Sequence, residues 1–263
     1  MLIPPVAVLA ISLPATRALG GEELSGLEVA RATDRARRSR TEHQVMKMTL
    51  INPRGQTRVR TIEGWSREIS DDEEHRFSRF LEPSDVRDTT LLSYDYNDER
   101  DDDTWLYLPA LKKVKRILSS NKKDYFMGSQ FTYEDMENLD LRNWDYTLDA
   151  PQTEAGVECH VLVAVPNNER EAKETNYSKR ISWIGKADML PRKIEFYDKS
   201  GRLAKVLVFE DIRPASESNP RPRAHKLTMD NLIKKHKTVL EITKLELDVE
   251  VNDSVFSQRN LRQ

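Results

Sequence analysis

Polar and apolar residues alternate along most of this chain, and this alternation restricts its fold more than any other feature. Met46, Met48 and Leu50 would share one side of an extended backbone, with Lys47 and Thr49 on the other. Alternation with a period of two is typical of a β-strand that buries only one face. The chain is therefore predicted to form a sheet with one wet face and one covered face.

The same pattern recurs in thirteen segments separated by short turn sequences such as NPRG at 52–55 and DKSG at 198–201. The predicted strands cover residues 46–50, 56–69, 75–81, 89–96, 104–109, 113–118, 141–148, 157–165, 177–184, 191–197, 203–212, 224–229 and 237–249. No regular strand–helix alternation occurs, which argues against a parallel sheet. We expect one long antiparallel meander in which the Pro-rich segment 213–223 is a polar connector.

Few helices are expected. Ser25 and Glu28 form a capping-box pattern that opens a helix reaching about Arg38. A second helical piece is expected near 126–138, and a short terminal one near 254–256. The chain is thus predicted to be mainly β: a single strongly curved antiparallel sheet with a few helices covering its concave face.

Two helical pieces are little cover for so wide a sheet, and a cavity would remain under them. Large apolar residues on the predicted strands are candidates for its wall, since methionine accommodates variable apolar shapes. They are Met46, Met48, Trp65, Trp105, Tyr107, Trp183 and Phe196. An ordinary packed core explains the same residues, and the pattern by itself leaves both interpretations open.

The stretch FMGSQFTYEDM at 126–136 does not read as a strand. Gly128 permits a sharp bend, and Thr132 would cap a helical turn that has Asp135 at its third position. The apolar members would lie over the concave face as a movable lid. They are Phe126, Met127, Phe131, Tyr133 and Met136. On this hypothesis, Phe131→Ala or Met127→Ala changes the retention of a cavity ligand more than folding.

No pattern of catalytic residues emerges. The five histidines and the single Cys159 lack metal-ligand spacing, and Gly128-Ser129 lacks the flanking glycines of a nucleophile elbow. The acidic loop at 94–103 lacks the glycine and glutamate of a calcium loop. We therefore predict a non-enzymatic protein without metal or cofactor.

The segment 111–123 concentrates positive charge. Lys112, Lys113, Lys115 and Arg116 are candidates for contact with a partner or with lipid headgroups. A solvated edge strand protected by lysines is the simpler interpretation. The net charge of −2 gives no overall attraction to nucleic acid.

The N-terminal segment differs from the rest of the chain. An apolar run at 6–13 precedes small residues at 18 and 20, which predicts a signal peptide over 1–20 and a mature domain over 21–263. A buried N-terminal helix is the alternative. No cysteine follows the predicted cleavage site, so the mature N-terminus is not expected to be lipidated.

Four runs together carry a family likeness: FLEPSDVRDTTLL, DDTWLYLPALKKVKRIL, NKKDYFMGSQFTYEDM and TVLEITKLELDVEVNDSVFSQRNL. They resemble the outer-membrane lipoprotein-sorting protein family, periplasmic proteins similar in fold to the lipoprotein carriers LolA and LolB. The likeness covers nearly all of the predicted mature chain. It implies a half-open antiparallel β-barrel with a helical lid over an apolar cavity.

The resemblance also implies a function. We expect a monomeric periplasmic carrier or chaperone that binds the acyl chains of a lipoprotein or another lipid, with an inner-membrane exporter as a further partner. The alternative is a lipid-sensing adaptor of an envelope export system, which would use the basic edge as its contact surface. The sequence does not distinguish the ligand or the direction of transfer.

Overall fold

A computed structural model describes residues 24–118, 121–137 and 140–263. The predicted signal peptide at 1–20 lies outside the described residues. Within the described ranges, no helix combines the length and the apolar character needed to cross a bilayer.

The described chain contains three α-helices, which are α1 (Gly26–Arg37), α2 (Tyr133–Met136) and α3 (Glu169–Glu174). Its thirteen strands are β1 (Thr41–Ile51), β2 (Thr57–Ser70), β3 (Glu73–Glu82), β4 (Thr90–Tyr96), β5 (Asp103–Leu108), β6 (Lys113–Ile117), β7 (Trp144–Glu154), β8 (Val157–Pro166), β9 (Tyr177–Gly185), β10 (Pro191–Asp198), β11 (Leu203–Ser216), β12 (Asn219–Asn231) and β13 (His236–Leu247). Short 3-10 turns occur at Phe126–Gly128, Asp253–Phe256 and three further places. The prediction of a mainly β, antiparallel fold is confirmed.

All thirteen strands join one unclosed sheet in the order β6-β5-β4-β3-β2-β1-β13-β12-β11-β10-β9-β8-β7. The prediction of one continuous meander is wrong, because β6 and β7 are consecutive in sequence but lie at opposite edges. Two meanders instead meet where β1 pairs with β13. The chain between β6 and β7 therefore leads from one edge of the sheet to the other, and its described residues 118, 121–137 and 140–143 are here called the crossover.

The helix α1 packs against the β7–β9 side of the sheet. Ser25 and Glu28 form both hydrogen bonds of the predicted capping box. A Cβ on Gly26 would lie 2.6 Å from the carbonyl oxygen of Tyr146, so glycine permits this close approach of helix and strand. The buried side chain of Val29 then packs with Leu162 and Ile184 in one apolar cluster.

The segment 213–223 is a hairpin and not the predicted connector. Strand β11 runs on to Ser216 and β12 begins at Asn219, with Pro214 opposite Pro222 in the ladder. Proline is excluded from a strand only where its missing N–H is needed, and this pairing tolerates both.

Two faces of the sheet are covered by different parts of the chain. We call the face under α1 and the crossover the inner face. On the outer face, the C-terminal residues Val251, Phe256 and Leu261 pack on Phe77 and Leu92.

A hydrogen bond of 2.8 Å from the Thr90 hydroxyl to the carbonyl oxygen of Leu261 holds this C-terminal segment. The C-terminal segment thus shields part of the outer face from solvent, which the alternation pattern did not indicate.

Candidate ligand-binding site

A cavity of about 410 Å³ lies on the inner face between α1, α2 and the sheet. Strands from both meanders contribute to its wall. Six apolar residues of this wall are half-buried, which leaves part of each side chain uncovered by the protein. They are Met46, Leu91, Met136, Phe209, Leu227 and Ile242. The inner face is therefore incompletely filled by the chain's own side chains.

One end of the cavity is strongly charged and forms its mouth, where β1 begins and β2 ends. Arg37, Glu42, Glu68, Glu74 and Arg76 border it. Charges of both signs occur there, so the mouth suits a polar or zwitterionic group more than a purely apolar one.

Arg223 borders this mouth and links the end of α1 to the sheet. The Nη1 and Nη2 atoms of Arg223 donate hydrogen bonds to the carbonyl oxygens of Ala36 and Arg37 at 3.1 and 3.0 Å. These carbonyls end α1, so a buried cation on β12 closes the helix and fixes it to the sheet. Burial lowers the pKa of Arg223, and Glu42 opposes that shift.

The crossover is held at α2 by a buried ion pair. Thr132 caps α2 and exchanges two hydrogen bonds with Asp135, as the sequence predicted. The Oδ2 atom of Asp135 also lies 2.8 Å from the Nζ atom of Lys205 on β11. The Tyr177 hydroxyl donates to Oδ1 at 2.7 Å. Burial by itself raises the pKa of Asp135, but Lys205 and the hydrogen bonds lower it more, and the net pKa lies below its usual value.

The neighbouring carboxylate of α2 is anchored to β9. The Nη2 atom of Arg180 donates to Oε1 of Glu134 at 2.7 Å, and the backbone N–H of Asn176 donates to Oε2 at 2.9 Å. The Arg180 guanidinium also lies over the rings of Trp144 and Tyr177. Ring contacts and a carboxylate partner together offset the burial of this cation.

A third anchor ties the crossover to the β4–β5 side. The Nζ atom of Lys122 lies 2.8 Å from Oε2 of Glu137 and 2.9 Å from Oδ2 of Asp102. Burial raises the pKa of Glu137 to about 7, although the Lys122 ammonium opposes that rise. Glu137 also borders the cavity, so a carboxyl that titrates near neutrality stands in its wall.

The predicted lid residues divide into two groups. Phe126, Phe131 and Tyr133 are buried, whereas Met127 and Met136 are half-buried. Tyr133 and Met136 border the cavity. The others pack on the sheet beside it, so the crossover covers the inner face as predicted, but much of it is core.

The predicted cavity residues also divide. Met46 lines the cavity, while Met48 and Phe196 lie beneath the crossover in clusters with Phe126 and Phe131 respectively. These three share the inner face.

The structure does not bring the four other predicted residues into the cavity as a group. Trp105 and Tyr107 belong to the outer cluster under the C-terminal segment. Trp65 borders the cavity, but its indole stacks on His43 at 5.3 Å and joins the same outer cluster. Trp183 packs with Cys159 and Val161.

Strand parity is the reason for this division. Leu106 and Trp105 are adjacent in β5, so they point to opposite faces. The C-terminal segment provides the outer-face tryptophans with an apolar partner, which alternation alone could not reveal. Sequence reasoning missed Leu91, Phe209, Leu227 and Ile242. All four lie on predicted strands, and their faces could have been assigned only from the strand pairing.

The four predicted contact cations lie around the edge strand β6. Lys112 and Lys113 are exposed at the β5–β6 turn. Arg116 forms an ion pair with Asp103, and Lys115 is exposed on the ladder position opposite Leu106. Within the described residues, no group of three or more His, Cys, Asp or Glu side chains is arranged to hold a metal ion.

These features define a class of protein: an open, curved antiparallel sheet whose inner face is spanned by a crossover and retains an amphipathic cavity. Solved structures share this architecture. A domain from Vibrio parahaemolyticus described as an outer membrane lipoprotein-sorting protein is 30% identical, with a TM-score of 0.82, and the match covers 90% of this chain and 98% of that one. The chain belongs to the outer membrane lipoprotein-sorting protein family.

Two further structures agree. A DUF1329 family protein from Desulfovibrio piger is 29% identical, with a TM-score of 0.83, over 90% of this chain and 97% of that one. A LolA superfamily protein from Nitrosomonas europaea is 17% identical, with a TM-score of 0.68, over 90% of this chain and 100% of that one, and shares the fold.

One protein-family model matches residues 72–263, and its description reads uncharacterized protein-like. No curated protein matches the chain.

Proposed function

We propose that this protein is a periplasmic carrier or chaperone that binds the acyl chains of a lipoprotein or another lipid in the inner-face cavity. It would move that lipid between membranes, or to or from an exporter. The observation that carries the proposal is the cavity itself: half-buried apolar side chains line it, and the crossover stands beside it. Membership of a lipoprotein-sorting family supports the same ligand class.

The driving force would be removal of apolar surface from water. Each methylene of an acyl chain that enters the cavity contributes about 0.8 kcal/mol. The cavity volume of about 410 Å³ falls within the range of roughly 300–1,000 Å³ that is usual for small-molecule sites. The charged mouth around Arg76 and Glu74 would face the polar end of the lipid.

Entry of the ligand through the mouth differs from movement of the whole lid, which the sequence suggested. Three ionic anchors hold α2 and its flanks, and breaking a buried ion pair is costly. We infer that the anchored part of the crossover stays in place while the half-buried Met136 adjusts to the ligand. Methionine suits this role because its side chain is flexible and polarizable.

The test is native mass spectrometry of the protein purified from the periplasm of its own host. We expect a population with the added mass of a lipid, which denaturing conditions release and tandem spectrometry identifies. A protein that is always recovered at its bare mass, and that takes up no fatty acid or lysophospholipid in solution, would contradict the proposal.

A further inference from the structure

Three turns at one end of the sheet combine positive charge with exposed apolar side chains. We call residues 52–60, 109–113 and 232–235 the turn rim. Strands β1 and β5 end there and β13 begins there, so the three turns share one end of the sheet. That end is opposite the cavity mouth, which lies where β1 begins and β2 ends.

The turn rim is basic in a chain whose net charge is −2. It carries seven cations and no Asp or Glu. They are Arg54, Arg58, Arg60, Lys112, Lys113, Lys234 and Lys235. Across the described parts of the chain, no ion pair involves Arg54, Arg58, Lys112, Lys113 or Lys235. The loop at 83–89 lies between two of the turns and has a net charge of −1, which leaves the surface strongly positive.

The same turns expose aliphatic side chains. The described residues include eight exposed large apolar side chains, and four of them belong to the turn rim. These four are Val59, Leu111, Leu232 and Ile233. Leu111 is the most exposed of the eight at 61%. Half of the exposed apolar residues therefore fall in these three turns or in the first residues of the adjoining strand β2, together with several cations that form no ion pair.

From this combination we infer that the turn rim docks on a bilayer surface that contains anionic phospholipids. Basic side chains near such a surface meet lipid phosphates, while neighbouring aliphatic tips enter the boundary between headgroups and acyl chains. The apolar tips stand on separate turns and do not form one continuous patch. A protein partner would need a contiguous apolar core to bury, whereas a headgroup layer accepts separate tips.

Docking in this way would orient the molecule. The rim adjoins the crossover, because Asn231 Nδ2 donates to the Tyr125 hydroxyl at 2.9 Å and Lys234 Nζ lies 3.6 Å from the centre of the Tyr125 ring. The cavity mouth would point away from the bilayer, toward the aqueous space or a partner. This inference does not depend on lipid carriage, since the rim and the cavity are at opposite ends.

The experiment is flotation of the mature chain with two kinds of vesicle, phosphatidylcholine alone and phosphatidylcholine with phosphatidylglycerol. Wild-type protein is expected to float with the anionic vesicles and to be released by added salt. The double variant Lys112→Glu with Lys235→Glu should bind at least about tenfold more weakly, because each basic residue near the surface contributes to the attraction. Release of the protein from the vesicles by salt is expected to be the same whether or not a lipid is bound in the cavity.

A matched control variant changes the net charge by the same amount as the rim variant but at the other end of the sheet. Arg213 and Lys244 are exposed near the opposite end, and Arg213→Glu with Lys244→Glu should leave vesicle binding unchanged. For the apolar tips, Leu111→Ser with Ile233→Ser should weaken binding, whereas Ile69→Ser with Leu118→Ser, also exposed, should not.

Two results would overturn the inference. The first is wild-type protein that floats with neither vesicle, which would favour an acidic protein as the partner of the rim. The second is equal weakening by the rim variants and their controls. Native mass spectrometry of the rim variants separates the two proposals, because their lipid load should match that of the wild type.

Discussion

The Nζ atom of Lys205 lies 2.8 Å from Oδ2 of Asp135, and the two side chains are 5% and 0% exposed. One residue belongs to β11 and the other to α2, so this pair fastens the crossover to the inner face of the sheet. The Tyr177 hydroxyl donates a hydrogen bond to the other carboxylate oxygen of Asp135, Oδ1. Because both charged groups are buried away from water, each is stabilised mainly by the opposite charge of the other.

Removal of one partner should therefore be costly. We expect Asp135→Asn to lower the free energy of unfolding by about 3–5 kcal/mol, since it leaves the Lys205 ammonium buried without a counter-charge. Urea denaturation measures this loss. The matched control is Lys244→Met, which breaks the exposed pair with Glu246 and should cost less than about 1 kcal/mol. Equal losses in the two variants would contradict the anchoring role of Asp135.

Glu137 should make stability depend on pH near neutrality. Its pKa rises from 4.5 in the unfolded chain to about 7 in the folded one, so the folded state binds the proton more tightly between these values. The stabilisation of the folded state by this tighter proton binding is then fully present below about pH 4.5 and is lost as the pH rises toward 7. Glu137→Gln should remove from the pH profile a decline in the free energy of unfolding on the order of 3 kcal/mol.

The control for this titration is Glu169→Gln, because Glu169 is 93% exposed. The control should reproduce the wild-type profile. A Glu137→Gln profile that keeps the full wild-type slope would show that other groups cause it. The Asp135 carboxyl does not interfere in this window, because its lowered pKa places the loss of its contribution below pH 3.8.

The lid hypothesis from the sequence now separates into two cases. Phe131 is 5% exposed and packs with Tyr177 and Phe196, so Phe131→Ala should cost about 3–5 kcal/mol of stability. Met127 is half-buried, and Met127→Ala should cost about 1 kcal/mol. Thermal unfolding followed beside lipid retention distinguishes them. Similar stability of the two variants would contradict this assignment of Phe131 to the core.

Filling the cavity should exclude the lipid. Ile242 is half-buried in the cavity wall, and Ile242→Trp would place an indole in the space proposed for the acyl chain. We expect the lipid load measured by native mass spectrometry to fall at least about tenfold, if the burial of about two methylenes or more is lost. The control Ile69→Trp adds the same ring at an exposed position and should leave the load unchanged. A full lipid load in Ile242→Trp would place the ligand elsewhere.

Local signals in the sequence were enough to predict the individual helices and strands. The capping box at Ser25 and Glu28 opens α1, and the cap pair of Thr132 and Asp135 opens α2, because both depend on contacts within one helical turn. Each predicted strand corresponds to a strand of the sheet, since alternation is a property of a few consecutive residues. The family likeness then indicated the overall architecture.

The candidate site was harder to predict. Met46 borders the inner-face cavity, but Trp105 and Tyr107 lie on the outer face under the C-terminal segment. Alternation separates two faces of a strand and does not say which one is inside. Only the packing of Phe256 and Leu261 on the outer face showed that both faces bury aromatic residues.

By itself the sequence determined where strands, turns and caps occur, because these follow from the order of residues along a short stretch of backbone. The tertiary structure decided that β6 and β7 lie at opposite edges, that the crossover spans the inner face, and that Asp135 meets Lys205 across 70 positions of sequence. Such pairings between distant residues depend on which strands become neighbours, and no local pattern records that choice.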